Sequence, residues 1–269
     1  MATYRLILEY NGRAFAGFQT QANQVTVQST LEAALAQHFD VPRVIVHASG
    51  RTDAGVHALG QVVSFRSTIE RDPHRLRLGL NTALPPELSI VVAERVPDTF
   101  HARFSATGKT YRYRLYDRRE RSPFLTGFAL HRSRPLDWGA IEAAIPVLVG
   151  THDFSTFRGA GCNAKSSVRT ITRAEHVAAG GHEHHFIFHG NGFLRYQVRR
   201  MVGTLIEIGE RRRPPEDLAA ALAACDPKRA GRTARPEGLY LVNVDYPPES
   251  LIFPEGTAPD DAATVSPTR

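Results

Sequence analysis

The order in which strand-like and helix-like spacings follow one another constrains the fold of this chain most. In the first third of the chain, apolar residues recur in the order β-α-β-β-α-β. The pattern predicts strands at 3–10, 44–49, 61–66 and 89–94, and helices at 27–39 and around 73–80. Thr26 precedes the first helix and is a residue type that caps helix N-termini. This order is that of the split β-α-β, or ferredoxin-like, unit.

The same order of elements repeats in the remainder of the chain. It predicts strands at 109–116, 168–177, 183–189 and 239–244, and helices at 138–148, 193–208 and, as an extra element, 216–224. Gly180 and Gly181, which are typical turn residues, join the two middle strands. We therefore expect an α+β protein with two ferredoxin-like (β-α-β-β-α-β) halves, whose mainly antiparallel sheets flank a basic catalytic cleft.

The length of the chain, 269 residues, suits either one large domain or two small ones. We expect an N-terminal half at 1–105 that carries the catalytic loop, and a C-terminal half at 106–246. The last segment, 247–269, is rich in Pro, Ala and Asp and is expected to be a loose tail.

Charge and cysteine content limit the classes of protein that this sequence can represent. The formal net charge of +6 fits a nucleic-acid partner, although basic surfaces also occur in proteins that bind no nucleic acid. Cys162 and Cys225 cannot build a disulfide framework or a cysteine-based zinc site. The N-terminus lacks a signal-peptide pattern, and no apolar run is long enough to span a membrane. We therefore expect a cytoplasmic protein without a membrane partner.

The segment 48–58 joins two predicted strands and carries one carboxylate, Asp53, between Arg51 and His57. Its two glycines and small flanking residues let a ligand approach the backbone closely. The same composition is typical of a hairpin connection in which Asp53 caps a turn. Loop length and composition alone favour the hairpin interpretation.

The residues of this loop, Gly-Arg-Thr-Asp-Ala-Gly-Val-His at 50–57, resemble the active-site motif of the tRNA pseudouridine synthase A family. Further segments resemble other motifs of that family in the same order, at 10–19, 100–113, 193–203 and 237–242. The likeness extends from about residue 3 to residue 246. Asn11 and Phe18 stand where the family often has Asp and Trp, and neither departure touches the expected chemistry.

The resemblance implies a reaction, a substrate and an assembly. The family converts uridine to pseudouridine at positions 38, 39 and 40 of the tRNA anticodon stem-loop. It breaks the N1–C1′ bond and rejoins the uracil through C5, acting as a homodimer without a metal or a cofactor. The sequence leaves open whether the nucleophile attacks C1′ or C6, which residue removes the C5 proton, which tRNA species react and where the dimer surface lies.

Two residues are expected to carry the charges of the reaction. The place of Asp53 in the motif implies that it is the nucleophile, and an isomerisation without water requires one carboxylate where glycoside hydrolysis uses two. An ionised carboxylate in a desolvated cleft needs a partner charge, and Arg199 occupies the place of the arginine that the family supplies from a late helix. An arginine beside the apolar face of such a helix is otherwise a typical surface residue.

A flipped uracil needs a flat surface to hold it. The resemblance favours Tyr111 as the stacking residue, although Tyr111 and Tyr113 share one face of a predicted strand, and both fit a core position. Arg51, next to the nucleophile, is associated with base flipping in the family, and a plain salt bridge is the alternative.

Contacts to tRNA phosphates are expected from a run of basic residues. The predicted substrate-binding residues are Arg103, Lys109 and Arg112. The same stretch also contains Arg114, Arg118, Arg119 and Arg121, and a second basic cluster lies at 211–213. A charge run of this kind is also typical of a solvated surface without a ligand.

Two other classes of protein compete with this interpretation. The histidines at 182, 184, 185 and 189 suggest a metal site, but the His-Glu-x-x-His zinc-binding pattern would need a histidine at the position of Phe186. We therefore expect no metal ligands. A non-catalytic tRNA-binding or folding chaperone on the same scaffold is the alternative function, and the presence of Asp53, Tyr111 and Arg199 argues against it.

Overall fold

The computed structural model describes residues 1–253, which fall into two compact units. Unit 1 consists of Met1–Thr107 together with the chain from Val244 onward, and unit 2 consists of Gly108–Asn243. Most of the tail expected at 247–269 lies outside the described residues, and Pro248–Ser250 form a short 3-10 turn. No helix in the described part of the chain is long and apolar enough to cross a membrane.

Unit 1 contains an antiparallel sheet and two α-helices in the order that the sequence predicts. The elements are β1 (Ala2–Tyr10), α1 (Val27–Phe39), β2 (His47–Ala48), β3 (His57–Ser67), α2 (Pro73–Ala83) and β4 (Leu88–Val96). β1 lies between β3 and β4, and β2 pairs with β3, all antiparallel. The mixed α+β class and the order β-α-β-β-α-β are therefore confirmed for this unit.

The boundaries of the two middle strands differ from the prediction. Val44 and Val46 are buried while Ile45 and His47 are exposed, so the alternation of a strand is present. Only His47 and Ala48 pair with β3, however, and the strand expected at 44–49 is reduced to β2. β3 starts earlier than expected, at His57.

Alternate side chains of β1 build the core of unit 1. Tyr4, Leu6 and Leu8 are fully buried, and the ring of Tyr4 stacks on Phe65 of β3 at 5.2 Å between centres. Phe39, the last residue of α1, meets Phe65 edge-on at 5.8 Å. Removing this apolar surface from water is the main force that holds the helix on the sheet. Thr26 caps the start of α1, as predicted, through a capping box with Ser29.

Unit 2 is a second, longer set of strands and helices. Its elements are β5 (Gly108–Asp117), β6 (Leu130–Arg132), α3 (Trp138–Ala144), β7 (Gly150–Asp153), β8 (Val168–Gly180), β9 (Glu183–Gly190), α4 (Gln197–Gly209), α5 (Asp217–Ala224) and β10 (Leu239–Asp245). The strand order is β10-β5-β9-β8-β7, and the short strand β6, which the sequence pattern did not predict, runs parallel to β5. The predicted turn between β8 and β9 is confirmed, and Gly180 and Gly181 both have positive φ.

Two helices of unit 2 are shorter than predicted. The helix expected at 138–148 becomes a 3-10 helix at Ile145–Leu148, where Pro146 has no N–H to donate to the preceding turn. The helix expected at 193–208 begins at Gln197, because Tyr196 has φ 63° and a right-handed helix cannot continue through that conformation.

His176 of β8 and His184 of β9 belong to a packed aromatic cluster. The ring of Trp138 stacks on His184 at 3.7 Å and on His176 at 4.5 Å between centres. The indole Nε1 of Trp138 donates to the buried carboxylate of Asp117 at 2.8 Å. Across residues 1–253, no group of three or more His, Cys, Asp and Glu side chains is arranged to hold a metal ion. His176 and His184 therefore belong to the packing of unit 2, where they stack on Trp138.

Replacing Gly203 by Ala should destabilise the protein, against the usual effect of this substitution. In a helix interior, Ala is more favourable than Gly by about 1 kcal/mol. Here a Cβ would overlap the carbonyl oxygen of Arg232, which packs against α4. We expect a loss of about 1–3 kcal/mol in the free energy of unfolding, as is typical of overpacking, measured by urea denaturation.

The matched control for this experiment is Gly139→Ala in α3. A Cβ at Gly139 would meet only the Oδ1 atom of Asp137, at an ordinary distance of 3.6 Å. An unfolding free energy of Gly203→Ala equal to or above that of the unmodified protein would contradict the prediction.

Candidate active site

A buried network of polar side chains holds the loop between β2 and β3. Gln61, on β3, donates from Nε2 to the carbonyl oxygen of Gly50 at 2.8 Å and accepts at Oε1 from the hydroxyl of Ser49 at 2.8 Å. The N–H of Ser49 donates to the carbonyl oxygen of Val62 at 2.8 Å. Because Gln61 is fully buried, water does not compete for these bonds. The loop therefore leaves β2 in a fixed direction.

A second contact fixes the loop from β1. The hydroxyl of the buried Thr52 lies 2.8 Å from the hydroxyl of Tyr10, at the end of β1. Gln61 Nε2 also reaches this Tyr10 hydroxyl, at 3.5 Å. Burial raises the pKa of Tyr10 to about 12, so the hydroxyl stays protonated and bonded near neutral pH. The residues on both sides of Arg51 are thus anchored.

The loop also packs backbone to backbone against the segment that follows β1. The N–H of Phe18 donates to the carbonyl oxygen of Thr52 at 3.0 Å. Gly17 has φ 98°, and a Cβ there would lie 3.0 Å from the Thr52 carbonyl oxygen and 3.1 Å from the Ala54 nitrogen. Only glycine fits both this conformation and this approach. The motif at 10–19 therefore supports the loop at 50–57 directly.

Asp53 stands on a tight turn of this supported loop. The N–H of Val56 donates to the Asp53 carbonyl oxygen at 3.1 Å, and Gly55 completes the turn with φ 77°. The Asp53 side chain is half-buried, whereas Arg51 is exposed. A carboxylate on a fixed backbone, two residues from an exposed arginine, can act as a nucleophile towards a bound anionic substrate.

Tyr111 and Tyr113 of β5 have different environments. Tyr113 is fully buried and its hydroxyl donates to the carbonyl oxygen of Arg235 at 2.8 Å; burial raises its pKa well above the usual range. Tyr111 is 8% exposed and meets the half-buried Phe193 edge-on at 5.1 Å between ring centres. Tyr113 is therefore a core residue, and Tyr111, although also buried, is the more exposed of the two.

Arg199 is oriented by two contacts within unit 2. Its Nε donates to the carbonyl oxygen of Ala234 at 2.7 Å, and its guanidinium carbon lies 5.0 Å from the centre of the Tyr196 ring. The N–H of Ala234 donates back to the Arg199 carbonyl oxygen at 3.0 Å. The side chain is half-buried. Its guanidinium is held in one direction, unlike that of an arginine that only extends into solvent.

The predicted phosphate-binding residues divide into exposed and packed ones. Arg103 is exposed, and Lys109 is half-buried at the start of β5. Arg112 is half-buried, lies 5.5 Å from the centre of the Tyr240 ring, and has its pKa lowered by burial and by Arg114. Arg114 is engaged by Glu183 at 2.7 Å. Arg103 is thus the most accessible of the predicted contacts.

The sequence did not single out the residues that hold the catalytic loop. Gln61 fell inside a predicted strand, and Tyr10 and Thr52 were known only as members of motifs. One signal was present, since a buried amide is uncommon unless it is bonded, and Gln61 is followed by the apolar Val62 and Val63. The partners of Gln61 depend on the pairing of β3 with both β1 and β2, which local sequence does not specify.

Comparison with known proteins relates the whole arrangement to one family. A family model described as tRNA pseudouridine synthase matches residues 6–105 and 144–247. A protein named tRNA pseudouridine synthase A from Streptococcus sanguinis is 42% identical over 247 residues, which cover 91% of this chain and 99% of the relative.

Relatives from other bacteria carry the same name. One from Lactococcus lactis subsp. cremoris is 43% identical over 249 residues, covering 92% of this chain and 98% of the relative. One from Burkholderia cenocepacia is 44% identical over 247 residues, covering 92% of this chain and 91% of the relative. The matched ranges include the loop at 50–57 and helix α4.

Removing the Gln61 amide should loosen the catalytic loop selectively. Gln61→Leu leaves the Gly50 carbonyl and the Ser49 hydroxyl without their buried partner, which costs about 1–3 kcal/mol. We expect faster amide hydrogen exchange at Val56, whose N–H closes the Asp53 turn, measured by NMR or by mass spectrometry of the peptide spanning the loop.

A second amide in unit 1 provides the control. Asn81 bonds both the N–H and the carbonyl of Ile90, at 2.7 and 2.9 Å, outside the loop. Asn81→Leu should increase exchange at Ile90 and leave Val56 protected. Equal exchange at Val56 in Gln61→Leu and in the unmodified protein would show that the network does not hold the loop.

Proposed function

The chain belongs to the tRNA pseudouridine synthase family, and from that premise we propose that it converts uridine to pseudouridine at positions 38, 39 and 40 of the tRNA anticodon stem-loop. The enzyme is an isomerase that acts on tRNA. The observation that carries the proposal is the loop at 50–57, in which a supported turn presents Asp53 beside the exposed Arg51.

Asp53 is the proposed nucleophile. It attacks either C1′ of the ribose or C6 of the uracil, and in both routes the N1–C1′ bond breaks and a C5–C1′ bond forms. The proton on C5 is lost and N1 gains one, so the reaction is balanced without water, oxidant or reductant. A single carboxylate is sufficient for this isomerisation, whereas glycoside hydrolysis needs a second one to activate water.

Three other residues complete the proposed machinery. Arg199 compensates the charge of Asp53, a role supported by the fixed orientation of its guanidinium. Tyr111 stacks on the flipped uracil, a role supported by its place in the motif on β5 and by its contact with the half-buried Phe193. Arg51 occupies the place of the flipped nucleotide, supported by its exposure next to Asp53.

The proposed fold and assembly follow the family. We assign each unit to the ferredoxin-like class, supported by the order β4-β1-β3-β2 in unit 1 and β10-β5-β9-β8 in unit 2. A basic cleft that includes Arg103, Lys109 and Arg112 binds the tRNA phosphates. The enzyme is proposed to work in the cytoplasm as a homodimer, and without a metal or cofactor.

Asp53→Asn should abolish pseudouridine formation and leave tRNA binding intact, because the change is nearly isosteric and removes the nucleophilic charge. The measurement is single-turnover conversion of a tRNA with uridine at 38, 39 or 40 only, alongside filter binding. The control is Asp40→Asn at the exposed C-cap of α1, where φ is 53° and Asn is well tolerated.

The outcomes separate catalysis from binding alone. Pseudouridine formed by a clean Asp53→Asn preparation would remove Asp53 from the mechanism. Tight tRNA binding by the unmodified protein with no conversion at any of the three positions would instead favour a tRNA-folding chaperone. Conversion that persists in EDTA with folded tRNA is the expected result for the metal-independent reaction.

Arg199→Ala should slow the chemical step and shift its pH dependence. Removal of one member of a buried ion pair costs about 3–5 kcal/mol at full burial, and the half-buried Arg199 should therefore affect the rate on the order of a hundredfold. Without the neighbouring cation, the pKa of Asp53 rises, so the acidic limb of the pH–rate profile moves to higher pH. Arg199→Lys should fall between the two, since it keeps the charge and loses the planar fork.

Arg195→Ala is the matched control for Arg199. The Arg195 guanidinium also lies over the Tyr196 ring, at 4.9 Å, but this side chain is exposed. At saturating enzyme, Arg195→Ala should retain the acidic limb of the unmodified protein. If the acidic limb of the pH–rate profile is unchanged in Arg199→Ala, another cation compensates the charge of Asp53, and Arg51 is the next candidate.

A further inference from the structure

Phe104 in unit 1 is a large apolar side chain that remains 77% exposed. It is one member of a cluster of rings and a cation. His101 lies 4.4 Å from it between ring centres, His47 lies 4.9 Å from His101, and the guanidinium carbon of Arg103 lies 5.7 Å from the centre of the Phe104 ring. We refer to His47, His101, Arg103 and Phe104 together as the Phe104 platform.

The turn that carries the platform is tightly bonded. The N–H groups of Arg103 and Phe104 donate to Nδ1 of His101 at 3.1 and 3.4 Å, and the N–H of Ser105 donates to the His101 carbonyl oxygen at 2.9 Å. Between them, the buried Ala102 donates to the Ser64 hydroxyl at 3.0 Å and accepts from Tyr246 at 2.6 Å. The exposed ring is therefore held in place before any ligand arrives, which lowers the entropic cost of binding.

The surroundings of the platform are basic. The pKa of His101 is lowered by burial and then by His47, Arg103 and Arg66, and these charged neighbours are all bases. Nδ1 of His101 accepts the two N–H bonds of the turn, which a ring nitrogen does only when it carries no proton. A flat apolar ring flanked by cations suits a ligand with an aromatic face and a negative charge, and a nucleotide has both.

The platform is close to the catalytic loop along the chain. His47 belongs to β2, and the loop starts at Ser49. The six Cα–Cα steps from His47 to Asp53 span at most about 22 Å when fully extended. A single RNA stem-loop can therefore contact both.

We propose that the Phe104 platform is a stacking site for an unpaired nucleotide of the tRNA other than the uridine that reacts. The base stacks on the open face of Phe104, and Arg103 contacts an adjacent phosphate. This inference rests on the proposed function, because it takes tRNA as the ligand. The basic surroundings favour RNA over a second copy of this chain as the occupant.

The test measures binding of a fluorescent tRNA to the full-length protein as a function of salt. Stacking of a base on an aromatic side chain implies that Phe104→Ala weakens binding by about tenfold to a hundredfold. Phe104→Trp keeps a flat ring and should bind as the unmodified protein or more tightly. Phe124→Ala, which removes a 90% exposed phenylalanine from unit 2, is the control and should bind normally.

Salt dependence separates the contributions of Arg103 and Phe104 to binding. Arg103→Ala should lower the slope of log affinity against log salt by about one, since one phosphate contact is lost. Phe104→Ala should leave that slope unchanged, because stacking releases no counterions. Sedimentation of each variant reports its oligomeric state.

Three results would overturn the inference. These are normal tRNA binding by Phe104→Ala, binding by Phe104→Trp as weak as that of Phe104→Ala, or a loss of affinity that coincides with dissociation of a dimer. The unmodified protein is assayed for pseudouridine on the same tRNA. If the unmodified protein forms no pseudouridine but Phe104→Ala weakens tRNA binding, the proposed function is wrong and the stacking site is supported. If the unmodified protein forms pseudouridine and Phe104→Ala binds tRNA normally, only the stacking site is wrong.

Discussion

The buried amide of Gln61 is the interaction on which the geometry of the catalytic loop rests. One side chain bonds the carbonyl of Gly50, the hydroxyl of Ser49 and, more weakly, the hydroxyl of Tyr10. These partners lie on β1 and on the chain before Arg51, so a single residue of β3 ties two neighbouring segments together. A buried amide with these partners is costly to disturb, since each bond lost leaves a polar atom away from water. Because the Asp53 turn follows this segment directly, its backbone is held by the same contacts.

Arginines in this protein have two physically distinct roles. Arg112 and Arg114 pack around Tyr240, and Glu183 neutralises part of their charge. Arg103 is exposed, and Arg199 is half-buried with its guanidinium oriented by a carbonyl and a ring. The net charge of +6 therefore does not indicate which arginines are available to a substrate, because some of them pack against the sheet and pair with a carboxylate.

The sequence predicted the order of the main elements in both units but not the short strands β6 and β7 of unit 2, and local periodicity explains why. Alternation in β1 and the apolar face of α1 are short-range patterns, and Thr26 marked the helix start correctly. The predicted boundaries were wrong where a single backbone angle ends a helix, or where a segment lacks the hydrogen bonds to a neighbouring strand. Tyr196 adopts a left-handed conformation and delays α4, and the residues at 44–46 alternate like a strand without pairing as one.

The sequence by itself determined the family and the order of the main strands and helices, because motif residues and periodicities are local properties of the chain. The catalytic role of the loop at 50–57 stays a prediction of the sequence. Only the tertiary structure decided which residues hold that loop, which of Tyr111 and Tyr113 is fully buried, and which arginines are already engaged. Those outcomes depend on strand register: the pairing of Tyr116 with Glu183 and of Arg114 with His185 brings the Glu183 carboxylate beside the Arg114 guanidinium. Register is set by packing between distant segments, which no local pattern specifies.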